Sequence, residues 1–213
     1  MGEPARTLEG EIAAALVVDE GGPPSDDQRV VLVGATWADY QRLLAIREES
    51  AVPRLTYLEG RLEIMTPSRF HEIDKSMIGC LVEAFCTERG IEITPYGSWT
   101  LENKEVERGV EPDECYVLGD DDDPAIPHLA IEVIRTSGGI SKLEVYRKLG
   151  VCEVWLWKKK RFELFALRGD AYESIGKSEL LPDLDLAVLV EFLSLRPMTA
   201  AVRAYRRRLR GEP

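Results

Sequence analysis

The chain lacks any run of about 18 apolar residues, the length a bilayer core demands, so no membrane span is expected. It also lacks a basic N-terminal segment followed by an apolar stretch, so no secretory leader is expected. Its four cysteines (Cys80, Cys86, Cys115, Cys152) contain no CxxC spacing. Cys80 and Cys86 stand six apart on an expected helix and point to different faces. They read as reduced, mostly buried thiols of a cytoplasmic protein. Positive charge is short: 27 Lys and Arg against 38 Asp and Glu leave a net −11. That argues against coating nucleic acid by bulk charge. It leaves room for a local basic groove, because counterion release depends on the phosphates contacted. No glycine-rich phosphate loop is present, which excludes a nucleoside-triphosphate enzyme of the P-loop type. Internal repeats and low-complexity segments are absent too.

What is present is enough for one ordinary domain: 213 residues, of which 45% are hydrophobic. Residues 1–28 read as a flexible lead-in, with Gly21-Gly22-Pro23-Pro24-Ser25-Asp26-Asp27 as a linker or turn. The domain proper is expected over 29–197, and a basic C-terminal tail over 198–213. Val30 to Val33 reads as a short strand, and Thr36 can cap a helix carrying Trp37, Tyr40, Leu43 and Leu44. Leu55 to Met65 reads as a hairpin turning at Glu59-Gly60. The clearest helix runs from about His71 to Arg89, with Ile73, Met77, Ile78, Leu81, Val82 and Phe85 on one stripe and Gly90 as its stop. Three strands are expected next, over about 91–103, 111–118 and 129–134. Asp120 to Asp123 between the last two reads as a solvated loop, since it lacks the ligand pattern of a calcium loop. A helix from about Ser141 to Leu149, a strand from Val151 to Trp157 and a hairpin around Gly169-Asp170 complete the core. The fold class is α/β (α+β): helix, three strands, helix, strand, with hairpins added on either side.

Two carboxylates interrupt this apolar pattern. Asp113 lies in Val110-Glu111-Pro112-Asp113-Glu114-Cys115-Tyr116-Val117, and Glu132 inside Leu129-Ala130-Ile131-Glu132-Val133-Ile134. An ionised carboxylate there costs several kcal/mol, on the order of the buried-ion penalty, unless a cation or strong donors meet it. Lys142 follows ten residues after Glu132. Acid, acid and lysine on adjacent short elements point to metal-dependent phosphodiester chemistry. Magnesium suits such a site: it takes oxygen ligands, keeps several waters, and would be served by Asp113, Glu132 and the carbonyl of Val133. Strand alternation puts Glu132 on the face of Ala130 and Ile134; Asp113 on the same side would let one ion bridge both. Each residue also has a plainer reading. Asp113 could shape a strand entry, Glu132 could pair with Arg135 or Lys142, and Lys142 could be an exposed first-turn lysine. His71 is either a helix-start residue or a proton acceptor at the site edge. Glu59 and Glu63, near the hairpin turn, have solvent exposure as their default, and His128 precedes the Glu132 strand.

At these residues the sequence resembles the PD-(D/E)xK superfamily of restriction-endonuclease-like nucleases. Pro112-Asp113 supplies the first half of the pattern and Glu132 the second acid. Within that superfamily the chain resembles the bacterial Uma family. The blocks that carry the match are Tyr57-Leu58-Glu59-Gly60-Arg61-Leu62-Glu63-Ile64-Met65-Thr66-Pro67 with His71, then Glu111-Pro112-Asp113, Ile131-Glu132-Val133, Lys142-Leu143-Glu144-Val145-Tyr146 and Gly150-Val151-Cys152-Glu153-Val154-Trp155. The resemblance implies a mixed sheet with an α-β-β-β-α-β core and a DNA endonuclease using Mg2+ or Mn2+. Its candidate site residues are Asp113, Glu132, Lys142, His71 and Glu59, with Asp113, Glu132 and Val133 as metal ligands. Ile134 stands where the superfamily usually has lysine, and the family resemblance moves that lysine to Lys142 on the following helix. Thr56 stands where an acid is often found three residues before the hairpin glutamate. DNA is the expected partner, and a homodimer would suit cutting two strands. The competing expectation is a weak or inactive nuclease-fold binding or regulatory protein, which the −11 charge and the missing in-strand lysine favour.

Overall fold

A computed structural model describes residues 16–18 and 26–212, so most of the lead-in expected over 1–28 lies outside the described residues. The first half runs β1 (Leu16–Val18), β2 (Gln28–Val33), α1 (Trp37–Arg47), β3 (Arg54–Leu58), β4 (Arg61–Thr66) and α2 (Arg69–Arg89). Five strands follow: β5 (Ile93–Pro95), β6 (Leu101–Asn103), β7 (Arg108–Val110), β8 (Glu114–Leu118) and β9 (Leu129–Ile134). Then come α3 (Lys142–Leu149), β10 (Glu153–Lys158), β11 (Arg161–Arg168), β12 (Ala171–Ile175), α4 (Leu186–Leu193) and α5 (Met198–Arg210).

Local chemistry sets these boundaries. Thr36 and Asp39 close a capping box on α1. Ser68 caps α2, and Gly90 ends it in the left-handed region at φ 64°. Glu59 and Gly60 both take positive φ, which a two-residue hairpin turn requires. Ser141 caps α3 by accepting from the Glu144 N–H.

The strands form two six-stranded sheets. The first has the order β1-β2-β4-β3-β7-β6 and the second β12-β11-β10-β9-β8-β5. In the second, β5, β8 and β9 form an antiparallel meander and β10 lies parallel to β9. With α2 before it and α3 in the crossover, this is the expected α-β-β-β-α-β order. One expectation needs correction. The single strand expected over 91–103 is two strands in different sheets, since β5 pairs with β8 while β6 pairs with β7. Gly97, at φ 58°, stands in the bend between them.

Alternation along β9 places its residues on two cores. Leu129, Ile131 and Val133 pack with Met77, Ile78, Leu81 and Phe85 of α2. Ala130, on the other face, packs with Val145 and Tyr146 of α3. A third cluster, Tyr40, Leu55, Tyr57 and Leu62, joins α1 to the far face of the first sheet. Helix α3 is therefore wedged between the sheets, touching β3, β6 and β7 on one side and β12 on the other. Helix α5 belongs to the α2 core, where Ala201 and Tyr205 are buried. Among the described residues no helix is long and apolar enough to cross a membrane.

Candidate functional site

The seam between the sheets holds a cluster of buried charges. Glu114 pairs with Ile131 at the start of the β8–β9 ladder, and Asp113, just before β8, reaches β9 at the Val133 N–H, next in the chain to Glu132. Asp113 and Glu132 are only 1% and 2% exposed, so each must be met by donors.

Asp113 is met on both oxygens. Its Oδ2 accepts the Val133 N–H at 2.6 Å. Its Oδ1 lies 2.9 Å from His71 Nε2 and is paired with the Arg54 guanidinium. Arg54 also donates to Glu72 at 3.1 Å. His71 Nδ1 lies 2.9 Å from Asp27 Oδ2, whose other oxygen accepts the Ser68 N–H at 2.8 Å. Ser68 is the cap of α2, so one helix start aligns the chain Asp27–His71–Asp113. Burial alone would raise the Asp27 carboxyl, but the hydrogen bond and charge of His71, with the Ser68 N–H, hold it below the usual carboxylate range.

Glu132 is met from α3. Its Oε1 accepts the Tyr146 hydroxyl and lies 3.7 Å from Lys142 Nζ. Burial, followed by the charge of Glu132, pushes the Tyr146 phenol well up, so it remains a donor. Lys142 Nζ donates to Thr56 Oγ1 at 2.9 Å. Thr56 and Arg54 share one face of β3, so this strand meets Asp113 directly through Arg54 and holds, through Thr56, the lysine beside Glu132. Glu63 lies opposite Thr56 in the register and is buried. It accepts the Ile140 N–H at 2.8 Å and pairs with Arg29 at 3.3 Å, tying down the loop that leads to Lys142. That loop packs closely: a Cβ at Gly139 would stand 2.4 Å from Glu63 Oε2.

The structure thus gathers Asp113, Glu132, Lys142, His71 and Val133, and it leaves Glu59 outside. Glu59 sits exposed at the β3–β4 turn and pairs with Arg108 at 2.8 Å, because a two-residue turn points its side chains to solvent. Val133 meets Asp113 through its N–H. Of the two readings of Lys142, the plainer one of an exposed first-turn lysine fails, since wedging α3 between two sheets buries that turn. Glu63 likewise is buried, because the first sheet is covered on both faces. Arg135 turns away to Asp74 at 3.2 Å, leaving Glu132 to Lys142. His128 Nδ1 accepts the Leu118 N–H at 2.9 Å, a structural bond. Sequence reasoning missed Asp27, Arg54 and Tyr146. Asp27 sat in a linker composition, but a charged residue opening a strand next to Leu55 and Tyr57 was a usable signal for Arg54. Not every buried acid belongs to the cluster: Glu153 is 1% exposed, and Trp155 Nε1 with the N–H groups of Glu179 and Leu180 satisfies it fully.

The donor chemistry fits a small hard dication. Asp113 meets the Val133 N–H and Glu132 precedes Val133 in β9, and magnesium accepts a carboxylate pair with water and main chain completing its shell. Among the described residues no group of three or more His, Cys, Asp or Glu gathers as a ready-made cage. Arg54 and Lys142 are the cations that now neutralise the pair. Arg54 would have to release Asp113, and it already holds Glu72 as a second partner.

A family model, Uma2, described as “Putative restriction endonuclease”, matches residues 37–199, most of the chain. A crystal structure of “a putative nuclease belonging to DUF820” from Anabaena variabilis is similar at 14% identity and a TM-score of 0.43, over 76% of this chain and 96% of that one. No curated protein matches the chain.

Proposed function

The chain belongs to the Uma2 family, and from that premise we propose that it is a DNA endonuclease that hydrolyses phosphodiester bonds with Mg2+ or Mn2+. The observation that carries this reading is the meeting of Asp113 with the Val133 N–H, next in the chain to Glu132, with Lys142 Nζ 3.7 Å from that second acid. Asp113, Glu132 and the Val133 carbonyl would hold the ion. Bound there, it would neutralise charge at the scissile phosphate and acidify a water. The chain's own residues do the rest. Asp27 and His71 fix the orientation of Asp113, and Tyr146 fixes Glu132. Thr56 holds the Lys142 ammonium beside Glu132, where it places positive charge against a developing anion. The four cysteines are free thiols, which suits work in the cytoplasm.

The test is cleavage of plasmid and linear DNA with Mg2+ or Mn2+, alongside metal titration by calorimetry. Asp113→Asn and Glu132→Gln should abolish cleavage while circular dichroism keeps the wild-type spectrum. Wild-type protein that neither binds either metal nor cuts any DNA offered would sink the proposal. A second reading, a nuclease-fold binding or regulatory protein, is favoured by Arg54 and Lys142 already neutralising both acids. It predicts a stable complex with a protein partner that Asp113→Asn leaves intact.

A further inference from the structure

A basic cleft of about 630 Å³ opens where β9 and β10 end. These two are the parallel pair of the second sheet, and Ile134 and Lys158 are their last partners in register. Space beyond the carboxyl ends of parallel strands is where open α/β sheets take ligands. The cleft also takes in Ile134, two residues past Glu132 along β9, and Asp74, three residues past His71 along α2.

Its charge is opposite to that of the molecule. The chain carries −11 overall, yet Arg135, Lys158, Lys159, Lys160 and Arg196 line the cleft against one acid, Asp74. That acid is already engaged, by Arg135 at 3.2 Å and Trp157 Nε1 at 3.4 Å. Lys159 and Lys160 form the β10–β11 turn with φ 51° and 61°. Glycine or asparagine would meet that backbone more cheaply, so turn formation does not account for two exposed lysines there. Strain retained beside a site is a reason to look for a ligand.

The surface continues over an aromatic ring. Phe70 is exposed on the first turn of α2, next to His71. The Arg69 guanidinium lies 4.7 Å from its centroid and that of Arg135 lies 5.6 Å away. Arg135 therefore belongs to both the cleft and the ring. A ring flanked by guanidiniums offers stacking surface for a planar heterocycle. In a duplex the base faces are stacked on one another, whereas a single strand displays them.

We propose that this cleft binds a single-stranded polynucleotide, with phosphates on the Lys158–Lys160 turn and Arg135 and a base stacked at Phe70. The proposal deepens the nuclease reading and rests on it for the choice of polyanion. It names a frayed end, flap or gap as the form of substrate that the cleft takes.

Fluorescence anisotropy in EDTA separates binding from cleavage. The probes are labelled oligothymidylate, labelled oligouridylate and a mixed-sequence duplex, each titrated with the full chain over a range of salt. Both single strands, or one of them if the sugar is discriminated, should bind tighter than the duplex. The Lys159→Glu/Lys160→Glu double variant should weaken that binding at least about tenfold and flatten its salt dependence. Phe70→Ala should weaken it at least about fivefold, with duplex binding unchanged. Unchanged melting temperatures would confirm that both variants fold. Equal or tighter binding of the duplex, or variants that bind single strands like wild type, would overturn the proposal. Single-strand binding by a wild type that cuts nothing would uphold the cleft and refute the nuclease; cleavage with no effect of these residues would do the reverse.

Discussion

Gly139→Ala puts the packing of the site to a quantitative test. The new Cβ would stand 2.4 Å from Glu63 Oε2 and 3.0 Å from the Cζ and Nε of Arg29. Glu63 cannot simply step aside, since its carboxylate is the acceptor for the buried Ile140 N–H and the partner of Arg29. If it withdraws, an unsatisfied buried N–H costs about 1–3 kcal/mol. A half-broken, mostly buried ion pair adds to that, for a total of about 2–4 kcal/mol. Gly139 itself is not in the left-handed region. Without the carboxylate, alanine there should be neutral or stabilising by about 0.4–1 kcal/mol through the unfolded chain. The assay is a double-mutant cycle by urea unfolding: Gly139→Ala in wild type and again in Glu63→Ala. The expected coupling is at least about 2 kcal/mol. An equal cost on both backgrounds would refute the reasoning, because the loss would then have nothing to do with Glu63.

Two further outcomes are expected. Asp27→Asn should destabilise the fold by about 1–3 kcal/mol at neutral pH, since His71 and the Ser68 N–H lose a charged acceptor. The folded pKa of Asp27 lies below its ordinary 3.8, so its contribution is fully present above that value and is lost as pH falls through the lowered one. The gap between wild type and variant in urea melts should therefore close in acid, and a gap independent of pH would show that Asp27 is not held ionised by its partners. Gly109→Ala should cost at least about 2 kcal/mol by overpacking, because its Cβ would lie 2.4 Å from Tyr40 Cζ and Oη. Tyr40 is fully buried and stacked on Tyr57 at 5.6 Å, so it has nowhere to go. A near-neutral melt would show that the ring moves freely.

Helix α2 was legible because its apolar stripe and its glycine stop agree, and β9 because its apolar run and its one acid both have structural causes. Asp113, Glu132 and Lys142 could be named because each breaks a pattern or carries a motif. Asp27 could not, because local composition describes a linker while its role comes from a helix start 44 residues away. Glu59 misled for the converse reason: it belongs to a conspicuous block, but turn geometry sends it outward. The splitting of 91–103 was hidden because a strand's partner sheet is a long-range property, and only the bend at Gly97 hinted at it. Burial of Lys142 depended on α3 lying between two sheets, which periodicity along a single helix does not encode.

Glu111-Pro112-Asp113 is the short link from β7 in one sheet to β8 in the other. Glu111 clamps the Leu55 N–H and Thr100 on the first sheet, while Asp113 meets Val133 on the second. The cluster therefore has no counterpart in either sheet alone. A chain emerging from the ribosome has β3, β4 and α2 long before β9 and α3, so it carries His71 and Arg54 with nothing opposite them. The charged cluster is therefore complete only once both sheets are in place, and a partly made or half-unfolded molecule lacks it.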